Sequence, residues 1–158
     1  MPPGRLAGGM NIPLPLVIFA AYHGASRIPA RPRSTMPLDQ IVTFLLTQAP
    51  DASLTFYRDT LGLAFLRDDG FALVFQSGAV TLRIGKVPSH TPQQHTVLGW
   101  EVEDLAASVA ELSARGVAFE RYPNMGQDEQ GIATFPNGDK VAWFKDPDGN
   151  VLSLSQHA

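Results

Sequence analysis

DASLTFYRDTLGLAFLR at residues 51–67 and DLAASVAELSARGVAFER at 104–121 decide the fold, because the second stretch repeats the plan of the first. Leu54, Tyr57 and Leu61 recur at helical spacing between a candidate N-cap, Asp51, and a candidate terminator, Gly62. Leu105, Val109 and Leu112 do the same between Asp104 and Gly116. GLAFLR at 62–67 then aligns with GVAFER at 116–121, an offset of 54 residues. Self-similarity at such a period marks two copies of one supersecondary unit.

A strand-like run precedes each helix, at 40–47 and 96–102, and three short apolar runs follow each one. Asp68-Asp69-Gly70, Ser77-Gly78, Asn137-Gly138 and Asp148-Gly149 separate these runs with hairpin chemistry. The expected fold class is therefore α+β, with two βαβββ modules at 38–88 and 95–157. The polar, Gly-containing stretch from Tyr122 to Gly131 is an insertion in the second copy, read as a longer rim loop. Alternation along the strands assigns their faces. Leu98, Trp100 and Val102, then Val80, Leu82 and Ile84, then Leu152 and Leu154 form apolar faces that belong beneath the helices. That leaves Val97, Gly99, Glu101, Thr81, Arg83, Val151, Ser153 and Ser155 on the opposite faces.

SLTFYRDTLGL at 53–63 and KDPDGNVLSL at 145–154, joined by the paired βαβββ plan, resemble the vicinal oxygen chelate superfamily. That group includes glyoxalase I, extradiol dioxygenases, methylmalonyl-CoA epimerase and the bleomycin and fosfomycin resistance proteins. The resemblance spans about 38–156 and implies a curved, half-open mixed β-barrel with its helices packed outside. It also implies that the face opposite the helices curves into a substrate cavity, which places Arg83, Glu101 and Ser153 inside it. Chelating members hold a divalent metal with His, Gln or Glu side chains, one from the first and one from the last strand of each module. Here those positions fall on Val42, Arg83, Val97 and Ser153, two alkyl groups, one guanidinium and one neutral hydroxyl, so neither a metal nor a cofactor is expected. The neighbouring candidates Gln40, Gln48, His95 and Glu101 do not come into place together under any single register shift. His90 and His95 read as loop residues of the linker between modules.

Three functions follow from this reading. The first is a metal-independent binding protein for a small organic molecule, of the bleomycin-resistance kind. Val42, Phe44, Leu46 and Val97 would supply its apolar lining, and Arg83, Glu101, Ser153 and Ser155 would orient the ligand. The second is a metal-independent lyase or isomerase, with Glu101 as general base and Arg83 stabilising developing negative charge. The third is a metal-dependent lyase or dioxygenase, which the missing ligands disfavour. Arg83 and Glu101 could equally be a structural ion pair. Trp100 and Trp143 read as core, and Tyr122 and Met125 either touch a ligand or cap the end of the barrel.

Composition bounds the rest. The 158 residues contain no cysteine, which removes disulfides, thiol nucleophiles and Cys zinc sites. A net charge of -3 is far from the basic balance of a nucleic-acid surface. No apolar run is long enough to span a membrane. Residues 1–37 hold four arginines and no acid, whereas the remainder carries 8 basic and 15 acidic residues. Pro13 and Pro15 break the apolar stretch 12–22, so residues 1–36 read as a disordered basic arm ahead of Met36 rather than a targeting segment. A cytoplasmic homodimer is the expected state, in keeping with how members of the resembled superfamily pair.

Overall fold

Each copy of the repeat folds as a strand, a helix and three further strands. The computed structural model describes residues 38–158, and the expected arm at 1–36 lies outside them. The first copy comprises β1 (Val42–Thr47), α1 (Pro50–Thr55), a π-helical turn (Phe56–Thr60), β2 (Ala64–Asp68), β3 (Ala72–Ser77) and β4 (Val80–Lys86). The second comprises β5 (Thr96–Glu101), α2 (Leu105–Ala114), β6 (Ala133–Thr134), β7 (Lys140–Lys145) and β8 (Val151–Gln156). Two four-stranded mixed sheets result, ordered β1-β4-β3-β2 and β5-β8-β7-β6. Within each, the module's first strand runs parallel to its last and the other pairings are antiparallel. The fold is α+β as expected, although the two sheets are not closed into one barrel.

The repeat is exact in plan but not in count. β5 starts 54 residues after β1, α2 starts 55 after α1, and the terminating Gly62 and Gly116 are again 54 apart. A β-bulge between Thr96 and Leu98 adds the extra residue in the second copy, and the π turn restores the count within the first helix. Asp104 caps α2, its side chain accepting from the Ala107 amide at 3.0 Å. Asp51 does not cap α1. Pro50 occupies the first turn, where its missing N–H costs nothing, so the cap position moves back to Ala49 and Asp51 falls inside the turn.

Both copies contribute to a single core on the helical side. Leu45, Tyr57, Leu73, Phe75, Leu82 and Ile84 from the first meet Leu105, Val109, Phe144, Leu152 and Leu154 from the second. Phe56 against Phe144, with ring centroids 6.4 Å apart, ties α1's π turn directly to the second sheet. A smaller cluster of Ala133, Val141, Trp143 and Val151 lies on the other face of the second sheet, beneath Tyr122, Met125 and Phe135.

The copies are clamped through the DPDGN turn between β7 and β8. Asp146 is buried and accepts four hydrogen bonds, from Tyr57 Oη at 2.8 Å, Asn150 Nδ2 at 2.8 Å, the Asn150 amide at 2.9 Å and the Asp148 amide at 3.0 Å. Asp148 accepts from the Gln48 amide at 2.8 Å and from Ser53 Oγ at 3.1 Å. Asn150 donates to the Leu46 carbonyl at 3.1 Å, and its Oδ1 lies 2.7 Å from His90 Nε2. His90, expected as a free loop residue, is therefore tied to this turn. Gly149 holds a φ of 88°, the left-handed conformation that makes glycine the favoured residue there.

Burial, reinforced by the Asp146 charge, pushes the Tyr57 phenol well above its ordinary pKa. Its stabilising contribution is thus complete below the unfolded value near pH ~10 and is lost as pH rises further. Tyr57→Phe is expected to cost about 1.5–3 kcal/mol in urea unfolding and to flatten the alkaline limb of stability. Asp146→Ala, which strands four donors, should cost about 4 kcal/mol or more. Thr43 Oγ1 is buried without a hydrogen-bond partner. Thr43→Val should accordingly raise stability by about 1 kcal/mol in the same assay, since it removes an unsatisfied hydroxyl at constant shape.

Candidate functional site

Strand pairing places a row of side chains across the first sheet on the face turned away from the helices. Phe44 pairs with Arg83, Arg83 with Val74, and Val74 with Arg67, and directly paired residues share a face. Leu73, Phe75, Leu82 and Ile84 fill the helical side, so the row lies opposite them. Val42, Phe44 and Leu46, the expected apolar lining, stand on this face exposed to 43%, 70% and 41%.

The hairpin joining β2 to β3 orients the cations. Arg83 Nη2 meets Asp69 Oδ2 at 2.6 Å, and Lys86 Nζ meets Asp68 Oδ2 at 2.6 Å. The Arg83 side-chain bond, helped by amides of the turn, holds the Asp69 carboxyl below its usual range. Lys86 likewise lowers Asp68, with help from the Gly70 amide. Asp69 was absent from the sequence-derived site. Counting the β3–β4 hairpin outward from Ser77-Gly78 would have found it, since that register sets Val74 beside Arg83 and carries the next turn over it.

The second sheet presents a different surface. Gly99 pairs with Ser153 and Ser153 with Trp143, again opposite the helices. A Cβ at position 99 would lie 2.4 Å from Ser153 Oγ, so the absence of a side chain there is what seats the serine. Trp143, expected in the core, is buried on this face, donating Nε1 to Thr96 Oγ1 at 3.1 Å and packed edge-on against Tyr122 at 5.6 Å. Tyr122 and Met125 thus cap the sheet. Gln127 fastens their loop, donating to the carbonyls of Glu120 and Gly131 at 2.9 and 2.7 Å while accepting from the Tyr122 amide.

Three candidates sit apart from this picture. Val97 occupies the β5 bulge, where alternation fails, and packs partly against the helical-side core instead of lining the opposite face. Ser155 Oγ lies 3.4 Å from the Trp100 carbonyl. Glu101, at the end of β5, makes no ion pair among the described residues and lines a cavity at the seam with α2. The structure does not bring Arg83 and Glu101 together, and the carboxylate on Arg83 belongs to Asp69.

The four positions at which the resemblance places metal ligands do not fit a divalent cation. Val42 and Val97 are alkyl, Arg83 is already paired with Asp69, and Ser153 offers one hydroxyl. No group of three His, Asp or Glu side chains among the described residues is arranged to hold a metal ion. Among those residues no helix is long and apolar enough to cross a membrane.

Similar proteins share this architecture. A lactoylglutathione lyase from Agrobacterium tumefaciens superposes with a TM-score of 0.58 at 21% identity, over 77% of this chain and 95% of that one. TnmS3, an antibiotic binding protein from Streptomyces sp. CB03234, gives 0.58 at 23% identity, over 78% and 99%. A superfamily member from Sphaerobacter thermophilus DSM 20745 gives 0.60 at 20% identity, over 75% and 96%. At such identities the likeness concerns the fold. No curated protein matches the sequence. The profile of the Glyoxalase/Bleomycin resistance protein/Dioxygenase superfamily matches residues 38–154, three-quarters of the chain, and the chain belongs to that superfamily.

Proposed function

We propose that the chain binds a small organic acid without a metal, on the helix-free face of the first sheet. The observation that carries this reading is the pairing of Phe44 with Arg83. An exposed aromatic ring stands beside a guanidinium on one face, flanked by Val42 and Leu46 and followed across the sheet by Arg67. An apolar body laid along β1 would direct its carboxylate at the Arg83 guanidinium donors that the single Nη2 bond to Asp69 leaves open. The antibiotic-binding relative supports a sequestering role for this fold.

A second copy of the chain is part of the proposal. β1 is the end strand of its sheet, and Ile41, Val42, Phe44 and Leu46 expose a row of large apolar groups along it. Such a strip is costly to leave open, and a homodimer would cover it and wall the ligand face. Ser155, partly exposed, would then orient the ligand from the second sheet, whereas the expected Ser153 is buried over Gly99. General-base catalysis by Glu101 has no observation in its favour, since Glu101 and Arg83 have separate surroundings.

A thermal-shift series with naphthoate tests the reading. Saturable stabilisation that persists in excess chelator is expected, and Arg83→Ala should weaken binding about tenfold or more while the ligand-free melting temperature changes little. Because Asp69 is lowered by Arg83, that pair stabilises the fold above pH ~4 and loses its contribution as pH falls below it, so Arg83→Ala should also flatten the acid limb. Binding that requires one bound transition metal per chain, or that ignores Arg83, would refute the proposal.

A further inference from the structure

The two copies of the repeat use one arginine differently. GLAFLR at 62–67 recurs as GVAFER at 116–121, so Arg67 corresponds to Arg121, and the pairing of Phe65 with Phe75 recurs as the bridge from Phe119 to Phe144. Arg121 is spent inside the fold, where its two Nη atoms donate to the carbonyls of Asp128 and Glu129 and fasten the inserted loop. The first copy has no such loop, since only Asp69-Gly70-Phe71 joins β2 to β3. Arg67 is exposed there, and its guanidinium has no ion-pair or hydrogen-bond partner among the described residues.

A β-bulge aims this side chain. Phe65 pairs with Phe75 on the helical side, so simple alternation would set Leu66 against Val74 and return Arg67 to the helical side beside Leu73. The bulge makes Leu66 an extra residue, and Arg67 faces Val74 instead, which adds it to the row that holds Phe44 and Arg83. Two strand spacings, about 10 Å, separate the backbones of Arg67 and Arg83. The two guanidiniums differ in how they are balanced. Arg83 is bonded to Asp69 at 2.6 Å, whereas no carboxylate among the described residues offsets Arg67.

We infer that the acid taken by this face is a dicarboxylate bearing an apolar ring, with its second carboxylate held by Arg67. The inference rests on the proposed acid-binding role of the face and names the class of its ligand. A monoacid at Arg83 sets a second carboxylate against a guanidinium that Asp69 already neutralises, and it leaves the unbalanced charge of the row unused. A dicarboxylate follows the row from β1 to β2. Its ring lies on Phe44, one carboxylate takes the open donors of Arg83, and the other reaches past Val74 to the fork of Arg67.

Isothermal titration of the full chain with phenylsuccinate and with 3-phenylpropionate, which lacks one of the two carboxylates, tests this assignment. Phenylsuccinate should bind about tenfold or more tightly than 3-phenylpropionate. In Arg67→Gln the two acids should bind about equally, and the melting temperature of the ligand-free variant should change little, because the side chain is exposed and unpaired. Arg83→Ala should weaken both acids. Phenylphosphonate, which carries its charge on a single group, should bind more weakly than phenylsuccinate. A preference for phenylsuccinate that survives Arg67→Gln, or phenylphosphonate binding as tightly as phenylsuccinate, overturns the inference. So does the absence of any preference in the unaltered chain while 3-phenylpropionate binds through Arg83, a result that leaves the acid-binding face standing. Binding of neither acid overturns the face and the inference together.

Discussion

The buried carboxyl of Asp146 is the constraint on which the arrangement of the two copies rests. Four donors converge on it, one of them the phenol of Tyr57 from the other module. A carboxyl withdrawn from water is tolerable only when its oxygens are fully engaged, so the turn that carries it can close in one geometry and only against α1. Asp148 and Asn150 extend the same logic to the end of β1, reaching the Gln48 amide and the Leu46 carbonyl. The apolar core supplies most of the stabilisation on burial grounds but would tolerate some sliding between modules. The polar turn removes that freedom by fixing β1, and with it the row of Phe44 and Arg83, relative to the second sheet.

Most of the fold could be read from the sequence because the repeat made each copy a check on the other. Gly62 and Gly116 mark equivalent helix ends, and Asp104 caps α2 as its position suggests. Two single-residue irregularities escaped this reading. The bulge at Thr96–Leu98 and the π turn at Phe56–Thr60 compensate each other in the residue count, so the constant offset between the glycines conceals both. The first of them turned Val97 from a lining residue into a partly packed one. KDPDGN was legible as a hairpin turn, but its role as the clamp between modules depends on partners about a hundred residues away, which no local pattern encodes.

The candidate site was legible only where strands alternate regularly. Parity put Arg83 and Ser153 opposite the helices, and pairing bears this out for both. Trp143 was read as core with no face assigned, and pairing with Ser153 puts it on that same face. The insertion from Tyr122 to Gly131 explains its burial there, since it lays its own aromatic and Met125 over the second sheet. What could not be read was which acid meets Arg83. Glu101 was chosen for lying on the same face by alternation, whereas Asp69 reaches Arg83 through a hairpin two strands away.

Function in a duplicated fold is best sought where the copies differ, because shared features serve the packing that both halves need. One helix-free face here is covered by an insertion while the other is bare along β1. One seam is filled by a tyrosine and a five-residue turn while the other keeps a leucine, a short turn and a cavity. The bare face also carries cations suited to an anionic ligand, Arg83 and Arg67. Leaving apolar surface open forgoes stability that the opposite half shows to be attainable with the same backbone plan.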